Sequence, residues 1–444
     1  MQTFGWDTVF VIRNDRINDS LAKNLQSLLP TFAVNLDSDP VITASGSFRS
    51  WEIVEGGDGK LLFMKLTIDK GKMEIGPIGL PDHVRVLVPD LASIENVGEI
   101  VVDGVAIVLS MFLRVLPKHD ASAQDLEFFM EHVAHSSSES STPGFITVVN
   151  VIDPSGKLST SQRTLLGAAI ADYLVLNAKQ IAFAFASINL VPPGTNSWLT
   201  PVESDYAYLE KIGAADGYMA VLSVTTRRPI DQLPRTIDQD AIGGGHTGSY
   251  LISEVLFLRN VILPFLPTAY GAPSSAFVLD EAARAIRNRG RFGTIPVKSG
   301  AITYYPVIDN LVVTTDGEGL LTTLNGSCDL KAGINMTFGI RTRNRSSFNT
   351  SSKSITFLPD PNPQSHHTAD IPWYFWFLGP IAVLITELVV KLIADSIASQ
   401  LDSLARDALS IARNPPQSVQ WTGAHPLDVK TAGINGAFFM MGAV

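Results

Sequence analysis

His132 and His135 stand three apart in His132-Val133-Ala134-His135, a spacing that could supply half of a metal site. No third ligand follows nearby, and the pattern is not the His-Glu-x-x-His of a metalloprotease helix. The pair reads as a helix end before a serine-rich loop. Ser20-Leu21-Ala22-Lys23 has the Ser-x-x-Lys spacing of some nucleophilic enzymes. Two fixed positions recur often by chance, however, and these two fall on an amphipathic helix. Gly243-Gly244-Gly245-His246 is expected to precede a helix, whose first N–H groups could receive an anion. The Lys-Ser or Lys-Thr of a phosphate-binding loop does not follow it. Asp153-Pro154-Ser155-Gly156-Lys157 reads as a turn before a helix, and no Gly-x-Ser-x-Gly elbow occurs. These residues predict no catalytic centre, no metal and no cofactor.

Two groups remain as candidate contact sites. Arg284, Arg287, Arg289 and Arg291 lie within eight residues around Gly290, and Arg341, Arg343 and Arg345 form a second cluster. Guanidinium groups grip phosphates and carboxylates in pairs of hydrogen bonds, so these arginines could hold an anionic headgroup or an acidic partner. They could equally be solvated turns paired with the protein's own carboxylates. The other group is the aromatic run Trp373-Tyr374-Phe375-Trp376-Phe377. It could rest on a lipid or membrane surface, cover the mouth of an apolar tunnel, or be buried in the core.

The elements that must position these groups are many strands and a few helices. Leu62, Met64, Leu66 and Ile68 alternate as on one face of a strand, behind the turn residues Gly56-Gly57-Asp58-Gly59. Further strands are expected at Val84–Val88, Ile107–Leu116, Phe145–Ile152, Ile181–Leu190, Met219–Thr226, Leu311–Thr315 and Ile334–Thr342. Helical spacing marks Ile17 to Leu29, Ser161–Lys179 and Tyr250–Phe265. In the helix at Ser161–Lys179, Leu166, Ala169, Ile170, Tyr173, Leu174 and Leu176 form the expected apolar stripe. Ile371–Thr386 carries no charge over sixteen residues, but Gly379-Pro380 interrupts it and a span needs about 20 apolar residues. Glu387, Lys391 and Asp395 then recur every four residues, predicting one amphipathic helix over Ile381–Ala412, ~45–50 Å long. Two passes of helix, strands and helix divide the chain at residues 1–190 and 191–444. The expected class is α+β, with curved antiparallel sheets wrapped around long amphipathic helices so that an apolar groove could be enclosed.

Charge and composition narrow the partners. Hydrophobic residues make up 45% and charged residues 17%, far from a disordered composition. A net charge of −10 argues against a general nucleic-acid binder and against loose adhesion to anionic membranes, leaving peripheral membrane contact at most. Cys328 is the only cysteine, so no intrachain disulfide forms, and the thiol is expected in the core. Met1 to Asp7 lacks the basic and apolar regions of an ordinary signal peptide. The reading is a soluble protein made in the cytoplasm and, if released, exported by another route.

Some residues carry a resemblance. Gly5-Trp6-Asp7-Thr8-Val9-Phe10 precedes a helix containing Asn18, followed by Gly46-Ser47-Phe48-Arg49-Ser50-Trp51 and Val149-Asn150-Val151. Ala186-Ser187-Ile188-Asn189-Leu190, Trp198-Leu199-Thr200-Pro201, Tyr206-Ala207-Tyr208, and Pro416, Val419 and Trp421 continue the order along nearly the whole chain. This ordered set resembles the family of the forty-seven-kilodalton accessory protein encoded beside botulinum neurotoxin, with its OrfX relatives. The resemblance implies a tubular lipid-binding (TULIP) fold of two modules, each a sheet around long helices that can enclose a lipid. It brings no catalytic motif. The expected function is a non-enzymatic protein that binds a lipid or other apolar ligand, in the toxin-accessory role the resemblance implies. The alternative is a structural partner that docks onto proteins of a toxin complex, its groove filled and without ligand.

Overall fold

Residues of alternating character dominate the chain, and in the computed structural model they become long strands. The structure describes all residues except 38–40, 77–97, 119–121, 191–197, 211–216, 300–301, 331–333, 370–379 and 391–409. The strand expected at Val84–Val88, the aromatic run Trp373–Phe377 and most of the helix expected at Ile381–Ala412 lie outside the described residues. Of that helix, residues 380–390 are described as helical and Ser410–Ala412 as a single 3-10 turn.

The first of three main sheets has nine strands. It is built around Ile42–Asp58, Leu61–Ile75 and Ala106–Pro117, neighbours in antiparallel register. The expected alternation holds: Leu62, Met64, Leu66 and Ile68 are each fully buried. Helix Thr160–Asn177 lies against this sheet, opened by a capping box in which Ser159 and Gln162 satisfy each other's backbone donors. Gly167 sits where the helix approaches closest; a Cβ there would come within 2.8 Å of Val148. Leu166, Ala169, Ile170 and Leu174 are buried as expected, but Leu176 points away, 78% exposed.

The six-stranded sheet runs Glu203–Leu209, Tyr218–Val224, Thr8–Arg13, Gly248–Ile252, Ala437–Ala443, Asp428–Asn435. It takes strands from both sides of residue 190. Thr8–Arg13 is central, bonded to a neighbour on each side, and its Val9–Ile12 stretch reads as an unbroken apolar run because both faces are covered. Phe10 and Ile12 enter the main core, while Val9 and Val11 meet a second core roofed by Ile230, Ile237 and Ile242. The third sheet has eight strands and centres on Val307–Asp316, Gly319–Asp329 and Asn335–Asn349.

The expected α+β class of two TULIP-like modules is overturned. Strand makes up 49% and helix 18%, and among the described residues the helices are short and no sheet wraps a long amphipathic helix. The longest helix among the described residues is Thr160–Asn177, with 18 residues. Tyr250–Phe265 shows why the expectation failed. It divides into strand Gly248–Ile252, helix Glu254–Phe257 capped by Ser253, a π-helical stretch Leu258–Ile262 and helix Leu266–Tyr270. Tyr250, Leu251, Ile252, Leu256, Phe257, Leu258, Val261 and Ile262 are all buried. Tyr250–Ile252, buried on every side, has no periodicity to separate strand from helix, so in the sequence the strand merges with the helix that follows it.

Candidate functional site

The residues singled out for catalysis do not assemble. His132 lies in strand Ala123–Val133, not at a helix end, and its ring packs 5.0 Å from that of Phe145. Among the described residues no group of three or more His, Cys, Asp or Glu side chains could hold a metal ion. Ser20 is buried while Lys23 is exposed. Gly244 and Gly245 take positive φ angles in a turn that enters strand Gly248–Ile252, so the expected helix terminus for an anion is not there. Cys328 is buried as expected, and burial pushes its thiol up to about 11.

The four clustered arginines separate. Arg284, in the left-handed region at φ 50°, faces a polar cleft of about 810 Å³. Three ion pairs line that cleft. Arg228 Nη2 donates to Asp7 Oδ1 at 2.7 Å and to the Gly5 carbonyl at 2.6 Å. Arg259 pairs with Glu281, and Arg284 lies 3.8 Å from Glu254, whose other oxygen accepts from the Thr315 hydroxyl. Asp7 also accepts from the Thr225 backbone at 2.7 Å, so the carboxylate braces the chain entering the cleft.

Arg287 and Arg291 lie elsewhere, on the solvent face of the eight-stranded sheet. Arg287 opposes Val312, Val312 opposes Thr323, and Thr323 opposes Arg341. Directly opposed residues share a face, so Arg287 of the first cluster lies on the same surface as Arg341 of the second. The next row, Ile286, Val313, Thr322 and Thr342, is buried on the other face. Most of these arginines have carboxylate partners: Asp280 for Arg287 at 3.3 Å, Asp309 for Arg291 at 2.5 Å, Asp316 for Arg343, and Glu318 for Arg345 at 3.5 Å. Arg289 is exposed, and its backbone N–H bonds the Ala276 carbonyl.

Among the described residues, the seam between helix Thr160–Asn177 and the nine-stranded sheet is filled by side chains. Rings run in contact from Phe32 to Phe48, Trp51, Phe128, Phe185 and Phe183, with successive centroids 4.9–6.0 Å apart. Trp51 is fully buried in this chain, and the same core holds Leu166, Ile170 and Leu174 of the helix. No described helix is long and apolar enough to cross a membrane.

One charged cluster escaped the sequence reading. Asp205, largely buried, accepts from Arg235 Nε at 2.9 Å and lies 2.7 Å from Lys60 Nζ. Arg235 also donates to the carbonyls of Ile230, Asp231 and Leu233 and stacks over Trp6. It ties the roof of the second core to the six-stranded sheet. Asp205 stands beside the Tyr206-Ala207-Tyr208 signature, but nothing local reveals partners at Lys60 and Arg235.

The fold and its sites therefore define a strand-rich protein whose described seam between helix Thr160–Asn177 and the nine-stranded sheet is filled, with charged clefts on the surface and no metal cluster among the described residues. The chain belongs to the OrfX-like family, described as Protein OrfX2/OrfX3/P47, whose family model matches residues 98–412. It is 26% identical to Protein P47 of Clostridium botulinum (strain Kyoto / Type A2) over 459 aligned residues, covering 100% of this chain and 99% of that protein. It is 23% identical to Protein OrfX3 of the same organism, over 60% of this chain and 55% of that one. Among solved structures, P47 from Clostridium botulinum A2 superimposes with a TM-score of 0.75 at 22% identity, covering 100% of this chain and 98% of that one. P47 of Clostridium botulinum E1 gives 0.70 at 21% identity, covering 99% of each.

Proposed function

We propose that this chain is a non-enzymatic accessory protein that acts by docking onto another protein, in the toxin-associated role that family resemblance implies. The observation that carries this reading is the filled core. A lipid held between helix Thr160–Asn177 and the nine-stranded sheet would have to displace Phe128, Trp51 and Ile170, all closely packed. Contact with partners then falls to the surface, where the arginine face and the polar cleft lie. A second reading, peripheral contact with a lipid or other apolar surface, draws support from Val383 and Leu384. They are 42% and 37% exposed on the helix that follows the aromatic run.

The test is native mass spectrometry and lipid extraction of the purified chain, followed by capture of proteins encoded beside its own gene. A lipid-free mass with a stoichiometric complex supports docking. A reproducible bound lipid with no protein complex overturns docking in favour of lipid carriage. Turnover of any substrate abolished by one polar substitution would overturn the non-enzymatic assignment.

A further inference from the structure

We propose that the solvent face of the eight-stranded sheet, from Arg287 across to Arg341, Arg343 and Arg345, is the docking surface for an extended acidic segment of a partner protein. This deepens the docking reading above and rests on it. The strand Asn335–Asn349 places Arg341, Arg343 and Arg345 at alternate positions, all exposed, at roughly 7 Å intervals. Carboxylates at alternate positions of an extended peptide repeat at the same interval. Arg287 stands three strands away in the Arg341 row, ~14 Å across the face, with uncharged Val312 and Thr323 between them.

A groove of about 540 Å³ runs beside the arginines, walled on its far side by Asp360, Asn362 and Gln364. It opens where the outer edge of Asn335–Asn349 changes partner. Gln364–Ala369 pairs with it over Met336–Arg341, and Ser354–Phe357 over Ser346–Asn349. In the interval between them, the Asp360 carboxylate accepts from the Arg343 backbone N–H at 2.8 Å. The sheet edge there is thus already met by a carboxylate of the protein's own. Arg341 has no carboxylate partner among the described residues, since the residues opposite it are Thr323 and Gln364.

The same charges favour a peptide over an anionic bilayer. Asp280, Asp309, Asp316 and Glu318 are interleaved with the arginines. A continuous anionic surface would bring its charges against these carboxylates, whereas a single acidic strand can pass between them. The existing pairs are exposed ion pairs, individually weak in water, so exchange for a partner's carboxylates costs little.

The experiment measures binding of a fluorescent peptide of alternating glutamate and threonine to the full chain, with phosphatidylglycerol and phosphatidylcholine vesicles in parallel. Peptide binding that weakens with salt is expected. The combined variant Arg341→Gln, Arg343→Gln and Arg345→Gln should lose at least about tenfold in affinity. Gln364→Glu, which keeps every arginine but sets a carboxylate opposite Arg341, should also weaken binding several-fold; circular dichroism checks that both variants fold. The proposal is overturned if the peptide does not bind, or if both variants bind it unchanged. Vesicle binding that the arginine variant abolishes, with peptide binding unaffected, overturns it in favour of a membrane. Capture of a neighbouring-gene protein by the triple variant as well as by the unmodified chain overturns this surface and leaves the docking reading standing.

Discussion

Phe128→Ala separates a filled core from a ligand-filled one. Phe128 is 8% exposed, its ring 5.8 Å from Trp51 and 4.9 Å from Phe185. Both neighbours are themselves at most 2% exposed, so little can move in to close the hole. Truncating a phenylalanine in such a place costs about 3–5 kcal/mol, combining lost transfer energy with the cavity left behind. The two edge-on ring contacts, each worth ~0.5–1.5 kcal/mol beyond area, put the expected loss in the upper part of that range. The assay is urea unfolding of delipidated protein followed by tryptophan fluorescence. At a slope of about 2–3 kcal/mol/M, a loss of ~4 kcal/mol lowers the midpoint by ~1–2 M. If lipid occupied this seam, its chain would line the ring's position and refill the gap. The variant would then lose less than about 1 kcal/mol with lipid present and markedly more without it. Such lipid-dependent rescue would refute the filled-core argument and, with it, the reason for preferring docking.

Two other expectations follow from buried hydrogen bonds and from titration. The Tyr206 hydroxyl accepts from the Leu113 N–H at 2.8 Å and donates to the Lys60 carbonyl at 2.6 Å, joining the six-stranded sheet to the nine-stranded one. Tyr206→Phe leaves both backbone groups unpaired and should cost roughly 2–4 kcal/mol, read by the same urea titration; a change below about 0.5 kcal/mol would show the bridge to be dispensable. Asp153 is held down to about 2 by the Leu158 backbone N–H and by Ser155, at the turn that opens helix Thr160–Asn177. A carboxylate with a lowered folded pKa adds stability that is complete above its unfolded value near 4 and is lost as pH falls through about 2. The stability gap between the unmodified protein and Asp153→Ala should therefore hold steady above about pH 5 and narrow steadily below about pH 4. A gap independent of pH across that range would mean the carboxylate's charge contributes nothing.

What could be read from the sequence was local. The strand at Leu62–Ile68 shows itself because one face is buried and the other wet, so its residues alternate. Helix Thr160–Asn177 shows itself because only one stripe is covered. Strand Thr8–Arg13 and Tyr250–Ile252, the strand part of the segment expected to be helical, are covered all round, and full burial erases the period that would have told strand from helix. Sheet order was hidden for a different reason. The six-stranded sheet places Thr8–Arg13 between Tyr218–Val224 and Gly248–Ile252 and adds strands from the last seventeen residues, a pairing set by distant contacts. Registers in the eight-stranded sheet likewise decide that Arg287 joins Arg341 while Arg284 turns to a cleft, although Arg284 and Arg287 are three apart in sequence.

The residues on which the family resemblance rests turn out to be joints of the frame. Trp6 is fully buried and donates to the Pro234 carbonyl at 2.8 Å, and Asp7 anchors Arg228 and Thr225. Asn18 bridges helix Asn14–Lys23 to a strand by bonding both the N–H and the carbonyl of Ile53, at 2.8 and 3.0 Å. Tyr206 links two sheets, the Tyr208 hydroxyl accepts from Asn14 at 3.1 Å, and Trp421 packs edge-on against Phe10. Such residues set how sheets meet, and a protein can keep them while its surface charges change. That is why recognition along the whole chain carries the fold yet leaves the partner open. None of the arginines on the outer sheet face belongs to the set that made the chain recognisable, and each exposed one can be exchanged at a cost of about 0–1 kcal/mol in stability. The groups free to specify a partner are the ones the frame does not need. A charge change at Arg341 should therefore alter binding while leaving unfolding unchanged, and a change at Trp6 or Tyr206 should do the reverse.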